Sequence, residues 1–176
     1  MRYLLLLMVG LSLGSCSAKL TPFSQRLYEE YNWTDAELKR IQFYLSENVT
    51  LWRDAGSEES SITNGKIRIK DGRKIEEIKF KKGTPGVMVF SPKDNRFAIS
   101  FDEGDDQFLM FGPNPNANNR YVLLGKKWDK RQGQITYDGK TYFTATENAF
   151  ATLMVDIKEA NQLKIKSKTV NGRKVR

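Results

Sequence analysis

From Asn48 to Phe143, apolar residues return at every second position and are broken by turn-forming residues about every ten. Val49 and Leu51 open the series, and Ala55 to Asn64 follows as a polar loop rich in Ser and Glu. Ile67 and Ile69 alternate with Lys66, Arg68 and Lys70; Asp71-Gly72 then signals a hairpin, with Ile78 and Phe80 on the return strand. Gly83-Thr84-Pro85-Gly86 reads as a turn whose glycines take positive φ. Val87 to Phe90, then Phe97, Ile99 and Phe101, then Phe108 to Phe111 and Tyr121 to Leu124 continue the rhythm. Ile135 and Tyr137, Asp138-Gly139, and Tyr142 and Phe143 make a second clear hairpin. This spacing predicts an α+β protein, mainly antiparallel, built as a small barrel or sandwich.

Within this series, an alternating strand, Lys82-Gly83-Thr84-Pro85-Gly86, a Val-rich strand, a turn and Phe97-Ala98-Ile99-Ser100-Phe101 resemble an SH3-like barrel in layout. Helices are expected at either side of the strands. A short one fits within Pro22 to Asn32. Thr34 with Glu37 forms a capping box, and Leu38, Ile41 and Leu45 then share a face, which predicts a helix from Thr34 to about Ser46. Thr144 with Glu147 is a second such box. It predicts an amphipathic C-terminal helix from Ala145 to about Gln162, with Phe150, Leu153, Met154 and Ile157 on one face. Gly112 to Asn119, with its two prolines and its asparagines, reads as an exposed loop.

The N-terminus has a different character. Arg2 precedes an apolar run from Tyr3 to Leu13, and Leu13-Gly14-Ser15-Cys16 closes it with small residues. This is the layout of a secretory signal, and the run is shorter than the roughly 20 residues a bilayer crossing needs. The ending resembles the lipobox of bacterial lipoproteins. That resemblance implies cleavage before Cys16, a diacylglycerol on its sulfur and an acyl chain on the new amino terminus, with no other cofactor. Cys16 is the single cysteine, so no intramolecular disulfide can form. The organisation that follows is a signal peptide over 1–15, a lipidated tether over 16–22, one domain over 23–163 and a basic tail over 164–176. Ser17 stands where enterobacterial inner-membrane lipoproteins carry aspartate. The resemblance therefore implies the outer membrane, facing the periplasm.

Composition narrows the chemistry. The chain has no histidine, which removes Ser-His and Cys-His catalysis and the commonest transition-metal ligand. Asp102 to Asp106 is a carboxylate cluster without EF-hand spacing; it reads either as a Ca²⁺ site or as a solvated hairpin turn. Gly83 to Gly86 lacks the Gly-Lys-Ser/Thr end of a phosphate loop. The net charge is +8. The basic excess gathers at the C-terminus, in Lys164, Lys166, Lys168, Arg173, Lys174 and Arg176, with no acid among residues 162–176. That tail is a solvated end, a contact for anionic headgroups, or a dock for an envelope protein or cell-wall polymer. Export argues against nucleic acid.

Two functional classes remain. One is a non-enzymatic accessory or binding subunit of a cell-envelope complex, using the tail and the Asn114 and Asn116 loop. The other is a glycan- or small-ligand-binding module, weakly hydrolytic at most, using Trp128, Tyr121 and Tyr142, although aromatics in alternating strands are more often core. The anchor itself makes a direct prediction. Replacing Cys16 with Ala abolishes labelling by radioactive palmitate and moves the protein from the membrane to the soluble fraction; unchanged fractionation rejects the anchor.

Overall fold

The computed structural model describes residues 19–55, 66–70, 73–93, 95–104 and 106–164. It is mostly antiparallel β-structure in two sheets. The first has seven strands in the order β1 (Leu20–Pro22), β13 (Leu153–Asp156), β2 (Phe43–Leu45), β6 (Pro85–Lys93), β7 (Arg96–Ser100), β8 (Phe108–Asn114) and β9 (Arg120–Leu123). The second has six, ordered β10 (Lys127–Trp128), β11 (Gln132–Tyr137), β12 (Lys140–Ala145), β3 (Val49–Asp54), β5 (Arg73–Phe80) and β4 (Lys66–Lys70). The stretch resembling an SH3-like barrel is the run β5–β6–β7, which crosses from the second sheet to the first.

The first sheet rolls until its ends meet. Just after β1, Phe23 N–H donates to Leu153 O of β13 at 2.8 Å, and Phe23 O accepts from Tyr121 N–H of β9 at 2.9 Å. Single bridges join Ser24 to Arg120 and Val122 to Thr152. The closed sheet encloses an aromatic interior. The Phe23 ring is fully buried, with ring centroids of Tyr121, Phe43, Phe97 and Trp33 at 4.9, 5.3, 5.8 and 5.9 Å. Helices α1 (Gln25–Tyr31) and α2 (Asp35–Leu38) add Tyr28 against Phe97 and Leu38 to this core. Phe80 of the second sheet meets Phe101 and Tyr137, and Phe101 meets Phe111, so one core serves both sheets.

Both expected hairpins form. Asp138 and Gly139 take φ of 51° and 66° between paired Tyr137 and Lys140, the positive pair a tight type I′ turn requires. Lys70 pairs with Arg73, while Asp71 and Gly72 lie outside the described residues.

Three expectations are corrected. The Thr34–Glu37 capping box is present, yet its helix ends at Leu38, and residues 43–45 are strand. Ile41, Phe43 and Leu45 also alternate at period two. A helix would turn Phe43 off the buried face, whereas Phe43 and Leu45 of β2 are buried together with Ile41 just before it. Likewise, no helix starts at Ala145. A 3-10 turn spans Thr146–Phe150, β13 follows, and α3 (Ile157–Lys164) is the helix. Leu153 and Val155 alternate into the core of a strand bonded on both sides, which outweighs their helical spacing to Phe150, a residue left exposed. Thr144 caps nothing; its hydroxyl donates to Thr50 O and accepts from Asn148 Nδ2. The cap of α3 is Asp156, whose Oδ1 accepts from Lys158 N–H at 2.9 Å.

The third correction concerns Gly112 to Asn119, which is only partly loop. Gly112, Pro113 and Asn114 pair with Val122, Tyr121 and Arg120. Pro113 is tolerated because its partner Tyr121 sends its N–H the other way, to Phe23.

Gly86 also departs from expectation. It lies within β6 without positive φ, and a Cβ there would sit 2.6 Å from the Phe101 ring and 2.8 Å from Ile99 Cγ2. Only Gly83 of that pair takes positive φ, at +77° in open space. Gly86→Ala therefore overpacks the junction of the two sheets and lowers stability by about 1–3 kcal/mol in urea titration. A loss no larger than that of an exposed Lys126→Ala control rejects the close approach.

Candidate binding cleft on the second sheet

The second sheet has two unlike faces, and the alternation of β3 defines them. Val49, Leu51 and Arg53 point inward; Thr50, Trp52 and Asp54 point outward. On the inner face, Arg53 Nε meets Glu76 Oε2 at 2.6 Å, and Tyr142 OH donates to Glu76 Oε1 at 3.2 Å. The Arg53 guanidinium also lies 5.6 Å from the centroid of the Tyr142 ring. Glu76 is only 3% exposed, so its charge is held by these partners. The trio ties together β3, β5 and β12. A slip of one residue would place Glu76 outside and Trp52 inside, so the buried ion pair specifies register.

The next residue along each strand faces the other way. Trp52, Glu77 and Phe143 therefore form a row across the outer face, with Trp52 directly opposite both Phe143 and Glu77. Asp54 stands opposite Ile75 in the adjacent row. Together with Arg73 and Gln132 these side chains line an open cleft of about 550 Å³. That volume falls within the range of small-ligand sites. Trp52 and Phe143 are half-buried but belong to no part of the hydrophobic core, neither its buried cluster nor the partly buried residues packed on it. Glu77 has its charge partly balanced by Lys79 at 3.0 Å.

The residues singled out in the sequence are placed otherwise. Tyr121 and Tyr142 are buried, at 0% and 1% exposure. Trp128 packs against the core from β10, over Gly133 and Gly125; a Cβ on Gly125 would come within 2.9 Å of the indole nitrogen. Asn114 and Asn116 serve the backbone: Asn114 Oδ1 accepts from Asn116 N–H at 2.9 Å, and Asn118 and Asn119 adopt the left-handed φ that asparagine tolerates. Lys164 ends α3. Cys16, Lys166, Lys168, Arg173, Lys174 and Arg176 lie outside the described residues.

The sequence reading gives neither Trp52 nor Phe143 a site role, although a signal exists for the first. Val49 and Leu51 set the inward phase of β3, so an aromatic at position 52 falls on the outward phase. In the acidic turn, the Ser100 oxygen lies 2.7 Å from Asp102 O and 2.9 Å from Gln107 O, while Asp102 Oδ1 accepts from Glu103 N–H. Among the described residues, no group of three or more His, Cys, Asp or Glu could hold a metal ion. None of the described helices is long and apolar enough to cross a membrane.

No protein-family model matches the chain, nor does any curated protein or solved structure at a significant level.

The buried tyrosines give the domain an alkaline limit. Burial, and then the Glu76 carboxylate, push the Tyr142 phenol up to about 12. Tyr121 and Tyr137 are raised further, again first by burial. A folded pKa above the unfolded value of about 10 contributes stability that is complete below pH 10 and lost as pH rises through the folded pKa. Urea midpoints are therefore expected to fall steeply from about pH 10 to 12, with Tyr142→Phe flattening part of the slope. Absorbance titration showing all tyrosines ionising together near 10 in the folded protein rejects this.

Proposed function

We propose that the protein is a lipid-anchored envelope protein that acts by binding rather than by catalysis, with the outer cleft of the second sheet as its working face. The observation that carries this reading is the Trp52–Phe143 pair. Two large apolar rings outside the core stand side by side on a solvent-facing sheet, beside carboxylates, a guanidinium and an amide. Burial of such rings is worth most when something covers them.

The lipobox-like Leu13-Gly14-Ser15-Cys16 supports an address at the outer membrane, in its periplasmic leaflet, and a role as accessory or binding subunit of an envelope assembly. The absence of histidine supports a non-catalytic role. The basic tail, including Lys166, Lys168, Arg173 and Lys174, supplies a second, electrostatic contact to anionic headgroups or an envelope partner.

Affinity purification of the full-length protein from solubilised membranes tests the reading. An envelope component, protein or polysaccharide, is expected to co-purify in fixed proportion with the wild type. It is lost with Trp52→Ala/Phe143→Ala, while palmitate labelling at Cys16 persists. Retention of the component by the double variant moves the working face elsewhere, and the absence of any such component from the wild type rejects the binding role.

A further inference from the structure

The geometry points to a linear glycan as the ligand of the outer cleft, an inference that rests on that cleft being the working face. The floor is made of β12, β3 and β5, each hydrogen-bonded to a neighbour on both sides. No free strand edge is presented there, so an extended peptide cannot add by backbone pairing. Recognition must pass through side chains.

Those side chains suit a hydroxyl-bearing ring. Cross-strand partners have Cβ atoms about 4.5–5.5 Å apart, so Trp52 and Phe143 offer two adjacent apolar platforms for the C–H faces of neighbouring sugars. Asp54 and Glu77 supply acceptors for hydroxyls, Arg73 supplies donors, and the Gln132 amide supplies both. An open cleft admits the middle of a chain, whereas an enclosed pocket would take only an end. The lining holds Asp54 and Glu77 against Arg73, and the pairing of β4 with β5 sets Lys66 opposite Glu77, Arg68 opposite Ile75 and Lys70 opposite Arg73, so charge on this face does not exclude an acidic glycan.

Beneath the platform, the Arg53–Glu76–Tyr142 trio holds the same strands in register. The aromatic row is thereby presented with little freedom to lose on binding.

Titration of the full-length protein in detergent micelles with chitohexaose, cellohexaose and a heparin hexasaccharide, read by calorimetry and tryptophan fluorescence, tests the inference. At least one hexasaccharide is expected to bind. Trp52→Ala is expected to weaken binding about tenfold or more. Trp52→Phe keeps a ring and retains binding at a smaller loss, with near-ultraviolet circular dichroism of the buried tyrosines confirming the fold. Trp128→Phe preserves the fluorescence response, and Trp52→Phe removes it.

Failure of all three hexasaccharides to bind overturns the inference, as does binding that survives Trp52→Ala. If these fail while a protein still co-purifies in a cleft-dependent manner, the working face stands and only its ligand class is wrong.

Discussion

The barrel depends on Phe23. Its N–H and C=O join the first sheet's ends, to Leu153 on one side and Tyr121 on the other, while its ring fills the space that closure creates. A sheet that closes has no free edge to protect, but it must fill its interior. Here the interior is aromatic: Phe23 lies edge-on to Phe43 and Tyr121, and Phe97 stacks on Tyr121 at 4.8 Å. Large flat rings fill such a lumen with few side chains and little rotamer entropy to lose. With a single cysteine in the chain and no disulfide possible, this packing carries the stability.

The second sheet solves a different problem. It cannot close, and its outer face meets solvent. Its inner face joins the common core through Phe80 and Tyr137, and it also accepts a buried carboxylate. A buried ion pair is a weak source of net stability, because desolvation offsets most of the attraction. Its consequence here is positional. Arg53, Glu76 and Tyr142 are sequence neighbours of Trp52, Glu77 and Phe143, so whatever pins the first three pins the row on the opposite face. The polar interior and the aromatic exterior are two sides of one register.

Most strands were legible because burial on one face imposes period two, as in Val49 and Leu51 or Ile78 and Phe80. Errors arose where one set of apolar residues satisfied both periods. Leu38, Ile41 and Leu45 fit a helix, while Ile41, Phe43 and Leu45 fit a strand; the strand prevailed because β13 and β6 flank β2 and bury Phe43. Leu153 and Val155 were misread for the same reason. No local pattern announces a partner strand more than a hundred residues away. The cleft was obscure on different grounds. Tyrosines at alternating positions suit sugar platforms by residue type, yet their phase places them in the core, and Trp128 is consumed in covering Gly133. The asparagines near Pro113 looked like a contact loop because capping and left-handed turns demand the same residue.

A shallow, open cleft is a poor tool for tight binding in free solution. It leaves much of a ligand solvated, and association must still offset lost translational freedom. Tethering changes that arithmetic. Under the lipid anchor proposed at Cys16, the domain and any polymer fixed in the same envelope layer would meet at an effective concentration set by the tether, and weak contacts summed along a repeating chain would become stable. The design is then internally consistent. A repeating ligand favours an open groove over a closed pocket, an open groove needs a rigid floor, and a rigid floor on an unclosed sheet needs a register device such as the Arg53–Glu76–Tyr142 trio. Each feature follows from the previous one, and the sequence separates them by placing the proposed anchor ahead of the domain and the register pair within it.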